Sequence, residues 1–140
     1  MDDLDFVLET IEPWLDKYHR DGVEALSPTE ALGVGVWLLE AEVNNGGFDQ
    51  YYFNTSGVLA VSTVRSLAEI GAKLTSSLLA AANADVPNLP LPDDRDLRGA
   101  LLDEVAETAR FKDLEAEFYE CNENRIALLA IYLKKSKIDT

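Results

Sequence analysis

Apolar residues recur along most of the chain at intervals of three and four, the period of helices with one buried face. Leu4, Leu8, Ile11, Leu15 and Tyr18 form the first such stripe, which predicts an amphipathic helix ending near Gly22. Pro13 interrupts it: a missing backbone donor means that the helix either kinks there or begins again with Pro13 in its first turn. A second helix starts on a full set of signals, with Ser27 as N-cap, Pro28 in the first helical position and Glu30 completing a capping box. It is expected to run to about Asn44, where Asn45-Gly46-Gly47 stops it. Gly33 and Gly35 each cost that helix about 1 kcal/mol of propensity relative to Ala, which points to close packing against another helix at those positions.

Beyond Val58 the helical period returns with Val61, Val64, Leu67 and Ala68, a break at Gly71, and then Leu74, Leu78 and Leu79. Residues 84–99 carry Pro87, Pro90 and Pro92 and are expected to form the one long loop. Two or three further helices are expected, at roughly 97–110, 112–120 and 123–136, the last burying Ile126, Leu129, Ala130 and Leu133. Sustained alternation of apolar and polar residues is absent, and so are internal repeats. The pattern predicts an all-α fold, a single-domain compact bundle of about six to seven helices spanning residues 1–140.

Composition agrees with a folded domain. With 47% hydrophobic residues in 140, the chain can bury a core, so its formal net charge of -14 belongs to a surface and not to a disordered tail. Twenty-six acids against twelve bases disfavour nucleic acid, anionic lipid and phosphate-rich ligands and favour a basic partner. The longest apolar run, residues 31–39, is about half the length needed to span a bilayer. An acidic start and a single Cys121 lead to the expectation of a cytoplasmic protein without disulfides.

Little in the chain suggests catalysis. His19, the one histidine, sits beside Arg20 near a helix end, where a cation complements the helix dipole. Cys121 follows Phe118 and Leu114 at helical spacing and reads as a small hydrophobe on an inner face. Residues 94–99 echo a calcium loop, but Arg98 and Val105 stand where ligands are needed, and no zinc spacing, phosphate loop or dinucleotide fingerprint occurs. No catalytic residue, metal or cofactor is assigned.

Charge itself is patterned. Residues 1–50 hold twelve acids and two bases, a net -10, whereas residues 51–100 hold five and four, a net -1. Asp2, Asp5, Glu9, Glu12 and Asp16 step by 3, 4, 3, 4 and, if the first helix is continuous, form one ladder beside its apolar stripe. At 1.5 Å per residue the ladder is about 21 Å long, one charge every 5 Å or so, against about 3.4 Å between phosphates on one DNA strand. A second acidic stretch holds Asp103, Glu104, Glu107, Asp113, Glu115, Glu117, Glu120 and Glu123 with only Arg110 and Lys112. Both can be plain solvated surface. Both can equally be a binding surface, of which Asp2, Asp5, Glu9, Glu12, Asp16, Asp103, Glu104, Glu107, Asp113, Glu117 and Glu120 are the candidate contacts.

Residues 42–57, EVNNGGFDQYYFNTSG, stand apart as a nearly neutral, amide-rich and aromatic passage. Asn45, Gly46 and Gly47 turn the chain, Phe48, Tyr51 and Tyr52 are spaced to bury on one side of a short helical turn, and Gln50 and Asn54 can satisfy backbone groups left open there. The passage reads as a packed corner, with a ligand pocket lined by Asn45, Gln50, Tyr51 and Asn54 as the alternative.

The residues Glu42, Asn45, Gly46, Gly47, Phe48, Gln50, Tyr51, Asn54, Ser56 and Gly57 carry a resemblance to the DNA mimic protein nineteen-like family of bacterial domains. Residues 67–72 and 114–120 resemble later segments of the same family, and the resemblance covers about residues 25–136. It implies an all-helical scaffold and, from the family's named member, an acidic surface that imitates duplex DNA and occupies the DNA-binding face of a transcription factor. The expected activity is thus non-enzymatic: blocking DNA access to a basic DNA-binding protein, a transcription factor or a nuclease. An immunity-type inhibitor of a nuclease toxin and a small-molecule binding or enzymatic module at the 45–57 corner are the alternatives. A homodimer would double the acidic surface.

Overall fold

The computed structural model describes residues 1–139, with side chains through Lys137. Seven α-helices and one short 3-10 turn make up the described residues, without strands: α1 (Asp3–Asp21), the 3-10 turn Val23–Ala25, α2 (Pro28–Thr55), α3 (Ala60–Ile70), α4 (Lys73–Ala84), α5 (Arg95–Ala106), α6 (Phe111–Glu120) and α7 (Arg125–Asp139). The expected all-α bundle is therefore the fold. Helix α2 is its axis, touching α1, α3, α5, α6 and α7, while α3 lies on α4, α4 on α6 and α1 on α7.

Local sequence explains most helix starts. The Asp2 carboxylate accepts the Asp5 N–H at 2.8 Å, Asp94 accepts the Leu97 N–H at 2.9 Å, and Asn124 accepts the Ala127 N–H at 3.0 Å. At α2 the capping box forms as the sequence predicts: Ser27 Oγ takes the Glu30 N–H at 3.2 Å and Glu30 returns to the Ser27 N–H at 2.9 Å. Lys17 reaches the same Glu30 carboxylate at 2.8 Å, tying α1 to the start of α2. Gly71 ends α3 in the left-handed conformation at φ 97°, as its place in the sequence suggests.

Several faces differ from the periodicity reading. In α1, Val7 and Ile11 are the buried residues and Leu4 is exposed, so the inward face is rotated away from the predicted stripe and toward Trp14. Helix α1 continues through Pro13, whose exposed position lets water serve the carbonyl that loses its donor. In α3 the buried set is Ala60, Thr63, Leu67 and Ile70, and Val61 points outward. The close approaches expected at Gly33 and Gly35 are present: a Cβ at Gly33 would lie 2.9 Å from the Trp14 ring, and one at Gly35 would overlap the Thr63 hydroxyl. The proline loop narrows to residues 85–94, because Asp94 starts α5 earlier than the apolar period alone indicates. Cys121 is half-buried as the C-cap of α6, one residue past the helix; its sulfur accepts the Glu123 N–H at 3.4 Å.

Candidate functional site

The 45–57 corner is a re-aiming of α2 and not its end. Helical geometry holds on both sides of Gly46 and Gly47, which alone depart from it, Gly47 at φ 82°. At Gly47 the left-handed backbone favours glycine, and a Cβ there would also overlap the Glu115 carboxylate; at Gly46 a Cβ would overlap the Gln50 amide as it stands. Beyond the break the chain buries Phe48, Tyr51 and Tyr52 almost completely. Their rings join α6: Phe48 lies 5.9 Å from Phe111 and 6.2 Å from Phe118, and Tyr52 lies 5.5 Å from Phe111. Tyr52 Oη donates to Asn83 Oδ1 at 2.5 Å, and Asn83 Nδ2 donates to the Ala60 carbonyl at 3.0 Å, which fixes α4 and the start of α3 to the corner. Burial raises the Tyr52 hydroxyl well above the ordinary phenolic range, so this tyrosine is a neutral donor.

The polar groups of the corner are served differently from the sequence expectation. The amide left open by the break belongs to Phe48, and it donates to Glu115 Oε1 of α6 at 2.8 Å. Gln50 and Asn54 do not satisfy backbone groups; their Nε2 and Nδ2 donate to Glu42 Oε2 at 2.7 and 2.8 Å. Asn45 Nδ2 donates to Gln50 Oε1 at 3.2 Å, closing a network of three amides around one carboxylate. Gly57, at φ 67°, donates its N–H to Thr55 Oγ1 at 3.0 Å and so completes the turn into α3. Asn45, Gln50 and Asn54 are thus brought together, whereas Tyr51 is buried away from them in the core.

Two of the eight acids in the second acidic stretch prove to be inward-working. Glu115 is the cap of the α2 break, and Glu123 accepts the Leu74 and Thr75 N–H groups at 2.8 and 2.7 Å at the start of α4. Burial opposes the charge on Glu123, but the Thr75 hydroxyl and amide, the Leu74 amide and Cys121 outweigh it and hold the carboxyl below its ordinary value. Nearby, the buried Arg125 guanidinium pairs with Glu40, donates to Thr75 Oγ1 at 3.1 Å and stacks 3.7 Å over the Phe118 ring. Sequence spacing could not reveal these roles, since the backbone amides that Glu115 and Glu123 accept and the Thr75 hydroxyl that Arg125 reaches lie 48 or more residues away.

Each of the eleven candidate contact acids is exposed: Asp2, Asp5, Glu9, Glu12 and Asp16 on and before α1, Asp103 and Glu104 on α5, Glu107 just after it, and Asp113, Glu117 and Glu120 on α6. Among the described residues only Asp2 spends its carboxylate internally; the other ten accept no hydrogen bond and form no ion pair. Glu9 lies about 160° around α1 from the buried Ile11, so the ladder runs along the side opposite the core and not beside it. His19 and Arg20 close its C-terminal end, as the helix dipole favours. The two acidic sets occupy helices that share α2 as a partner: α1 packs on α7 and α2, α5 on α2, and α6 on α2 and α4.

Other sites offer less. A concavity of about 630 Å³ lies between the end of α1, residues 54–58 and the proline loop, lined by Tyr18, His19, Asn54 and Arg95 among others. Arg98 at its edge is buried and held by the carbonyls of Phe53, Pro92 and Asp93, a clamp on the loop. Among the described residues no three His, Cys, Asp or Glu side chains converge as metal ligands, and no helix is long and apolar enough to cross a membrane.

No curated protein and no solved structure matches the chain. A family model does, over residues 24–136, and its span takes in the kinked α2 with its Asn-Gly-Gly-Phe corner, the capping carboxylate of Glu115 and all of α3 to α6. On that match the chain belongs to the DMP19-like protein family.

Proposed function

We propose that this protein is a non-enzymatic regulator that imitates the charge of DNA and binds the basic DNA-binding face of a transcription factor or another nucleic-acid-binding protein, blocking access to DNA. The observation that carries the reading is the α1 ladder: Asp5, Glu9, Glu12 and Asp16 stand on one uninterrupted helix, turned to solvent and without a counter-ion. Membership of a family described as DMP19-like supports it. Each free carboxylate meets a Lys or Arg that would otherwise contact phosphate, so complex formation weakens steeply as salt rises. The exposed acids of 103–120 extend the same surface chemistry to a second part of the molecule.

The test is capture from host lysate at low salt, with the wild type and with Asp5→Asn, Glu9→Gln, Glu12→Gln and Asp16→Asn combined as baits. Asp2 is left in place because it caps α1. The wild type is expected to retain a basic DNA-binding protein that duplex DNA displaces, and the neutralised bait to lose it. Identical retention on both baits, or a bound protein that excess DNA leaves in place, overturns the reading.

A further inference from the structure

An open groove of about 530 Å³ separates the second half of α2 from α5. Its floor is apolar or bare backbone, with Gly46, Phe53, Gly99, Leu102 and Ala106, and two carboxylates stand on it, Asp49 from α2 and Asp103 from α5. Neither carboxylate accepts a hydrogen bond or forms an ion pair among the described residues. Burial and the charge of Asp103 both raise the Asp49 carboxyl, and only Lys112, too far to pair, lowers it. Arg95 and Arg98 lie 4.9 and 5.6 Å from the Phe53 ring centre and hold that ring as a wall. A site with an apolar bed and two acids that form no ion pair suits a side chain with a long aliphatic stem and a terminal cation.

We propose that this groove takes an arginine side chain from the basic partner protein, its stem against Leu102 and Ala106 and its guanidinium between Asp49 and Asp103. The proposal rests on the DNA-mimic reading and gives it a fixed point: most of the acidic surface attracts by charge alone, whereas here shape and charge coincide. A guanidinium fits better than an ammonium because its planar fork can donate to two carboxylates at once.

Gly99 supplies the decisive variant. A Cβ there would lie 3.7 Å from Phe53, an ordinary contact, so Gly99→Met can fill the groove without altering a charge or breaking the fold. The probe is a hexa-arginine peptide, titrated at low salt into isotope-labelled protein and followed by NMR, with hexa-lysine alongside and thermal melts verifying each variant's fold. The expected result is resonance shifts centred on Gly46, Phe53 and Gly99, tighter binding of hexa-arginine than of hexa-lysine, and at least a fivefold loss of affinity in Gly99→Met and in Asp49→Asn with Asp103→Asn. Hexa-arginine that binds with shifts along α1, at unchanged affinity in Gly99→Met, overturns the groove and leaves the proposed function standing. Absence of binding by either peptide overturns both.

Discussion

Glu115 shows how one residue decides a local structure that its neighbours in sequence cannot. It sits on α6, yet its carboxylate receives the Phe48 amide at the break in α2, and Gly47 is bare where that carboxylate arrives. Phe48 is fully buried, so the amide has no water to turn to. Glu115→Ala is therefore expected to destabilise the protein by about 1–3 kcal/mol in urea denaturation, the cost of a buried donor left without a partner, while Glu115→Gln keeps an acceptor and loses less. An unchanged midpoint in Glu115→Ala would show that Phe48 has another acceptor. The three amides around Glu42 work in the opposite sense: Asn45, Gln50 and Asn54 are exposed or half-exposed, and they organise a carboxylate that would otherwise sit beside a turn of helix without donors.

At the scale of the element, the local signals were legible and the distant ones were not. Asp2, Ser27 with Glu30, and Gly71 act within three or four residues of the helix end that they serve, and the sequence places the start of α2 and the end of α3 well. The α2 break was visible as Asn45-Gly46-Gly47, but its outcome was not, because resumption of the helix depends on a carboxylate supplied 67 residues later. Periodicity misjudged faces at Leu4 and Val61, which are exposed while α1 buries Val7 and Ile11 and α3 buries Ala60, Thr63, Leu67 and Ile70. The ladder is an element-scale property too. Its like charges at three- and four-residue spacing repel by a few tenths of a kcal/mol per pair, so the fourfold neutral variant is expected to be more stable than the wild type by about 0.5–1 kcal/mol at low salt. Thermal melts at low and high salt check this: the gap should close as salt rises, and a less stable variant would mean that these acids make contacts within the fold.

For the whole molecule, acidity has two functions that pH separates. The formal net charge of -14 makes the surface repel itself, and that repulsion fades as the pH falls toward the isoelectric point of about 4.3. The inward carboxylates behave oppositely. Glu30 is held below its ordinary 4.5 first by its bond to Lys17, Asp85 below 3.8 first by its bond to Arg110, and Glu123 below 4.5 by its donors at α4 despite burial. A depressed carboxyl contributes stability that is present above the unfolded value and lost as pH falls through the folded one. Denaturation midpoints should hold between pH 7 and 5 and fall below about pH 4, and Glu123→Gln should flatten that fall; an equal drop in both proteins would remove Glu123 from the account. The sequence made the fold class and the α1 ladder legible. It did not distinguish Glu115 and Glu123 from the exposed acids around them, because composition counts charges without showing which way they face.

Three carboxylates, Glu115, Glu123 and Asp85, each close a helix start from a different part of the chain: the second half of α2, α4, and the residue ahead of α6. Those starts are completed from outside their own segments, and two of the three closures come from residues after 110. A protease nick in the exposed stretch 106–108, followed by loss of the C-terminal piece, would thus do more than remove α6 and α7. It would unlatch α2 at its midpoint and α4 at its beginning, so that damage at one end of the polypeptide is felt at its centre.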